Sequence, residues 1–168
     1  MSISEYLRSS GVPFKRMLHG PASSATRVAR LLHVRGSTVA KGVLLVNEQT
    51  EAFVVAVLPA THRIDLDQLR PILQSNDVRL ASEAELERVF HNCELGAVPP
   101  FGTLYGIPTL VDASLSGEAE ILVESNWRHE GVQLAFRDYM ALEKPLLARF
   151  AAPMDQLPAG PSSRRRAG

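Results

Sequence analysis

Lys41 stands inside Val39-Ala40-Lys41-Gly42-Val43-Leu44-Leu45-Val46, a run otherwise made of apolar residues and one glycine. A lysine in such a strand must carry its charge out to water, pair it, or point it into a cavity. Alternation puts it on the face of Val39, Val43 and Leu45, so it opens on whatever that face lines. An ammonium there can bind a phosphate or carboxylate, or steady a developing oxyanion. On an edge strand it would instead guard against aggregation. Gly42 beside it favours the close approach of another segment. The second chemical feature is Gly96-Ala97-Val98-Pro99-Pro100-Phe101-Gly102, in which four of seven residues are proline or glycine. Proline fixes φ, and glycine lets backbone approach a ligand, so such a loop holds amides in place without crowding them. That suits an anionic or ester group. It equally suits a tight connection between two core elements.

Other chemistries find little support. The histidines are His19, His33, His62, His91 and His129, and none pairs at the HxxxH or HxH spacing of a metal site. Cys93 is the only cysteine, which excludes an internal disulfide and a cysteine-rich zinc site. It reads as a small buried apolar residue, because no Gly-rich elbow or helix start lowers its pKa. No metal and no cofactor is expected. His129, in the polar turn Asn126 to Gly131, either lines a pocket mouth or caps a solvated hairpin tip. Walker, GxGxxG and GxSxG signatures are absent.

The elements that must position these residues follow from capping and periodicity. A short helix through Tyr6 and Leu7 is predicted after Ser4, ending before Gly11 and Pro13. Phe14 to His19 reads as a strand. Ser23 or Ser24 caps a helix carrying Ala25, Val28, Ala29 and Leu32, ended by Gly36. Val39 to Asn47 and Ala52 to Leu58 form a hairpin across Glu48-Gln49-Thr50-Glu51. Asp65 with Gln68 caps a helix through Leu69, Ile72 and Leu73, in which Pro71 is tolerable only near the start. Ser82 with Glu85 opens another through Leu86, Val89 and Phe90. The Pro/Gly loop follows directly. Strands are then predicted at Thr109 to Asp112, Glu120 to Glu124 and Gly131 to Phe136, with a final helix from Arg137 to Phe150. Hairpins and helices mix without βαβ alternation, which argues for a mixed α+β domain.

Composition sets the outer bounds. The chain has 168 residues, 45% of them hydrophobic and 21% charged, which suits one globular domain with a substantial core. No apolar run reaches the roughly 18 to 20 residues that cross a bilayer. The segment Met1 to Gly11 is polar and unlike a secretory signal, so the cytoplasm is the expected location. Residues 1–150 are expected to form one domain, and 151–168 a disordered tail rich in Pro, Gly, Ser and Arg. Net charge is zero, and setting aside Arg164, Arg165 and Arg166 leaves acidic residues in excess. A protein of this balance should meet nucleic acid only locally, at one end of a strand, with the tail adding weak phosphate attraction.

Together these segments resemble the YbaK family, which includes the editing domain inserted in bacterial prolyl-tRNA synthetases and its free-standing relatives. The resemblance covers about residues 5 to 145. It runs from His19 and Thr26-Arg27-Val28-Ala29 to the lysine strand, then through Val78-Arg79-Leu80-Ala81-Ser82. Gly96 to Gly102 looks like the family's GxxxP loop; Leu110-Val111-Asp112, Gly131-Val132-Gln133-Leu134 and Asp138-Tyr139 follow. The resemblance implies a central mixed, partly barrel-like sheet surrounded by helices. It implies trans-editing: hydrolysis of a small amino acid from mischarged aminoacyl-tRNA, with tRNA-Pro as the leading candidate and a synthetase as a possible partner. Lys41 would anchor the tRNA 3′ end and polarise the ester, and amides near Gly102 would stabilise the oxyanion. Gly96, Val98, Pro99, Pro100 and Phe101 would form a small dry pocket, with His19, Thr26 and His129 around it. One departure stands out. Relatives carry Gly-x-His before the last strand, whereas here counting back from Val132 puts Arg128, not His129, at the histidine position. The alternative reading is a non-catalytic module that binds the tRNA 3′ end or a small amino-acid-like ligand.

Overall fold

The computed structural model describes residues 1–155. The expected mixed α/β architecture is what the chain forms. Helix α1 (Ile3–Ser9) buries Ile3 and Leu7 and is capped by Ser2 rather than Ser4, because Glu5 completes a capping box with Ser2. Strand β1 (Phe14–Leu18) leads to α2 (Ala25–Leu31), capped by Ser24, whose hydroxyl accepts the Arg27 amide. This helix stops short of Gly36, which instead opens a 3-10 turn at Gly36–Thr38. Strands β2 (Val39–Asn47) and β3 (Ala52–Pro59) make the predicted hairpin, followed by β4 (His62–Ile64) and α3 (Leu66–Leu73). Pro71 sits in the second turn of α3, not the first, and the helix ends two residues later. Strand β5 (Val78–Leu80) and the capping-box helix α4 (Glu83–Val89) precede the Pro/Gly loop.

After that loop come β6 (Thr109–Asp112), β7 (Glu120–Glu124), β8 (Glu130–Ala135) and α5 (Phe136–Glu143). Helix α5 is much shorter than predicted. Pro145 disfavours helical backbone at Lys144, which turns left-handed at φ 47°. The residues assigned to the rest of that helix form β9 (Leu146–Ala148). Strand β10 (Ala151–Pro153) pairs with β4, so residues placed in the tail join a two-stranded ribbon. The remainder of the expected tail, 156–168, lies outside the described residues.

The main sheet runs β1-β8-β7-β2-β3-β6-β9, with β5 added to β2. Pairings β2–β7, β3–β6 and β6–β9 are parallel; β1–β8, β7–β8, β2–β3 and β2–β5 are antiparallel. Alternation along β2 sorts its side chains between two faces. Ala40 and Leu44 join the largest core cluster with Phe101, Val123 and Tyr139, while Val39 and Leu45 enter clusters on the other face. Lys41 belongs with the second set, as alternation predicts.

Candidate functional site

The site arises from a gap along one edge of β2. Strand β3 occupies the other edge from Ala40 to Asn47, so β7 and β5 must share what is left. Strand β7 pairs only at Val39 and Ala40, and β5 only at Leu45 to Asn47. Between them the Pro/Gly loop comes in. The Val98 carbonyl oxygen lies 2.5 Å from where a Cβ on Gly42 would stand, so only glycine admits this approach. The Val98 amide donates to Glu124 Oε2 at 3.1 Å, tying the loop to the end of β7.

Above this junction lies a cavity of about 300 Å³ whose lining includes Lys41, His19, Thr26, Gly96, Glu124 and Arg128. Among the described residues Lys41 makes no hydrogen bond or ion pair, and burial lowers its pKa from the ordinary lysine value. Thr26, in the first turn of α2, directs its hydroxyl to the Ala60 carbonyl at 3.5 Å. The His19 amide donates to the His129 carbonyl at 3.0 Å, and its Nδ1 lies 2.8 Å from the Gly20 carbonyl oxygen. Gly96 is left-handed at φ +84°, and a Cβ there would stand 3.2 Å from Arg128 Nη1.

The structure brings His19, Thr26, Lys41 and Gly96 together and separates the other sequence candidates from them. Val98, Pro99, Pro100, Phe101 and Gly102 are buried and do not line the cavity. Phe101 packs edge-on against Tyr139 and Tyr6 on the opposite face of the sheet from Lys41. The Pro100 carbonyl accepts the Tyr139 hydroxyl at 2.6 Å. The Gly102 amide donates to Thr109 Oγ1 at 3.0 Å, which commits the group expected to meet an oxyanion. A side chain at Gly102 would strike Thr109 and the Ile107 carbonyl, so packing explains that glycine. The loop is therefore split in role: Gly96 faces the cavity, and Val98 to Gly102 are core. His129 is exposed and contributes only its carbonyl to His19.

One lining residue, Glu124, escaped the sequence reading, and another, Arg128, entered it only as the occupant of the expected histidine position. Arg128 enters the cavity where a histidine was sought, its Nη2 donating to the Ala22 carbonyl at 3.3 Å and its amide to Glu94 Oε2 at 2.7 Å. The count back from Val132 was the available signal. Glu124 ends β7, and in sequence it figures only as the end of a predicted strand. Register reveals it: Val39 pairs with Leu122 and Ala40 with Val123, so Lys41 and Glu124 are next in line on one face. Burial raises the Glu124 pKa, although the Val98 amide and the charges of Arg128 and His19 pull it down. No ion pair joins Glu124 to Lys41 among the described residues. Nor does any cluster of three His, Cys, Asp or Glu side chains there suit a metal ion.

The model of a family described as the aminoacyl-tRNA editing domain matches residues 19–142. The chain belongs to this editing-domain family. The matched span runs from His19 into α5 and contains the Lys41, Gly96, Glu124 and Arg128 positions. The multifunctional Ser/Thr-tRNA deacylase ProXp-y of Escherichia coli, in strains K12 and O157:H7, is 25% identical over 150 residues. That alignment covers 86% of this chain and 87% of the relative. Among solved structures, a hypothetical protein superposes with a TM-score of 0.80 at 18% identity, over 89% of this chain and 99% of the other. A candidate trans-editing enzyme for prolyl tRNA synthetase does so with a TM-score of 0.77 at 20% identity, over 89% and 94%. These two share the fold of this editing-domain chain.

Proposed function

We propose that the protein is a free-standing aminoacyl-tRNA deacylase that hydrolyses the ester of a small amino acid from mischarged tRNA. The observation that carries this reading is the unpaired Lys41 ammonium inside a cavity lined by Gly96, within a matched editing domain. Synthetase pockets reject a smaller or isosteric amino acid by only about 100- to 200-fold, so a second hydrolytic site is physically required. The neighbouring ribose hydroxyl already activates the substrate ester. Water attacks the carbonyl carbon, charge gathers on the carbonyl oxygen, and the C–O bond to the ribose breaks as the hydroxyl leaves with a proton. Lys41 is positioned to stabilise that oxygen or to hold the terminal phosphate. His19 and Thr26 line the wall, and Arg128 over Gly96 narrows the opening. A cavity of about 300 Å³ has room for a small amino acid and its ester.

Serine and threonine esters are the first substrates to assay, given the named activity of the E. coli relative, and tRNA-Pro is the first carrier, given the prolyl tRNA synthetase named for the solved trans-editing structure. The reaction is metal-independent in this reading, so chelators should leave the rate unchanged. The cytoplasm, where charged tRNA is consumed, is its proposed location. A panel of mischarged tRNAs tests the proposal directly. Multiple-turnover release of a small amino acid supports it; stoichiometric protection of the charged tRNA without turnover would establish a binding module instead.

A further inference from the structure

Glu124 is a partly buried carboxylate that the reaction as drawn does not use. Its Oε2 accepts the Val98 amide, and its Oε1 accepts no hydrogen bond among the described residues. The residue lines the same cavity as Lys41, on the adjacent strand and the same face. The cavity thus presents one uncommitted cation and one half-committed anion on the same face of the sheet. A partly desolvated charge without a full set of partners is costly, and a ligand that supplies the partner relieves that cost.

Resting on the deacylase reading, we propose that Glu124 binds the α-ammonium of the aminoacyl group while Lys41 faces the ester oxygen or phosphate. In an α-amino ester the ammonium and the carbonyl sit on adjacent atoms, so both can be met from neighbouring strands. The Val98 amide fixes the carboxylate for this contact, which couples the Gly96–Val98 segment to substrate recognition. Two alternatives fit less well. Arg128 does not form an ion pair with Glu124; its side chain donates to Ala22 instead. A purely structural role in holding Val98 would use one oxygen and would not need a charge. The site selects a free amine: N-acylated aminoacyl-tRNA, which carries a neutral amide there, should be a poor substrate.

The experiment compares seryl-tRNA and N-acetyl-seryl-tRNA as substrates of the full chain and of Glu124→Gln, which keeps an acceptor for the Val98 amide. Wild type should prefer the free amine by about 10- to 100-fold in kcat/KM, the scale of a hydrogen bond between charged groups. Glu124→Gln should lose that preference chiefly by slowing the free-amine substrate, with its melting temperature retained. Equal hydrolysis of both substrates by wild type, or an equal loss on both in the variant, would overturn the assignment. Binding of a non-hydrolysable seryl-adenosine amide, with its amine free or acetylated, separates the two claims. If wild type turns over no charged tRNA yet prefers the free amine through Glu124, the deacylase reading fails and the ammonium site stands. If it binds both forms equally, the ammonium site fails whatever the turnover.

Discussion

At the residue scale, function and stability pull in opposite directions at Lys41. Its side chain is half-buried and makes no hydrogen bond or ion pair among the described residues, so the folded state disfavours the charged form. Replacing it with alanine should slow deacylation by about 100- to 1,000-fold, the usual effect of losing one oxyanion donor. The melting temperature should hold or rise, because a desolvated charge is removed. If the ammonium form is required, activity falls as pH rises through the lowered Lys41 pKa, earlier than an ordinary lysine would dictate. A pH–rate profile of Lys41→Arg, whose guanidinium does not titrate there, should lack that alkaline limb.

Glu124 gives the complementary sign. Its folded pKa is raised above the unfolded value, so the folded state binds the proton more tightly. Wild type should gain stability relative to Glu124→Gln as pH falls through the folded pKa, the full gain being present below the unfolded value. Thermal melts of both proteins from neutral to acid pH measure this. The two glycines of the loop also separate here. Gly96→Ala forces a side chain into left-handed backbone at about 1 to 2 kcal/mol and pushes on Arg128, so activity should drop more than stability. Gly102→Val should lose both together, because its Cβ meets Thr109 and backbone.

At the scale of elements, α5 is the brace of the Pro/Gly loop. Tyr139 donates to the Pro100 carbonyl, and Glu143 Oε1 accepts the Thr103 amide at 2.8 Å and the Thr109 hydroxyl at 2.5 Å. The same Thr109 hydroxyl receives the Gly102 amide, so a chain of hydrogen bonds links α5 through β6 to the loop. Tyr139→Phe should cost about 1 to 3 kcal/mol, since the Pro100 carbonyl is left buried without a donor. A denaturant melt reads this, and kcat/KM for charged tRNA should change little if the loop's cavity end is held independently by Glu124. Much of this layer was legible beforehand. The β2–β3 hairpin, β6 and β7 follow from runs of β-branched residues between polar turns, and α4 from Ser82 and Glu85. Strands β4, β5, β9 and β10 were not, because each has three residues and exists only through its pairing.

At the scale of the whole molecule, the near-zero net charge limits how the protein meets RNA. A substrate gripped at its end by Lys41 and one or two neighbours should show a shallow salt dependence. The log–log slope should be about −1 to −2, since each single-strand phosphate contact contributes roughly −0.7. Phosphate contacts by the three arginines of residues 156–168 would steepen the slope by up to about 2 more, and removing those residues should then reverse that increment. An unchanged slope would take the tail out of recognition. Either result leaves the cavity chemistry untouched, because Lys41 and Glu124 are set by β2 and β7.

The sequence by itself determined the strand that carries Lys41, the face it points to, the stiff loop and the editing-domain resemblance. These are local properties: alternation, capping and the restricted backbone of proline and glycine act over a few residues. Which part of the loop meets the lysine was decided only by tertiary structure. Strands β7 and β5 leave a gap on one edge of β2, and the loop crosses it, sending Gly96 to the cavity and Phe101 to the core. Glu124 became Lys41's neighbour through a parallel pairing between strands some eighty residues apart in the chain. No local pattern encodes such a pairing, because its register is fixed by packing on both faces of the sheet at once.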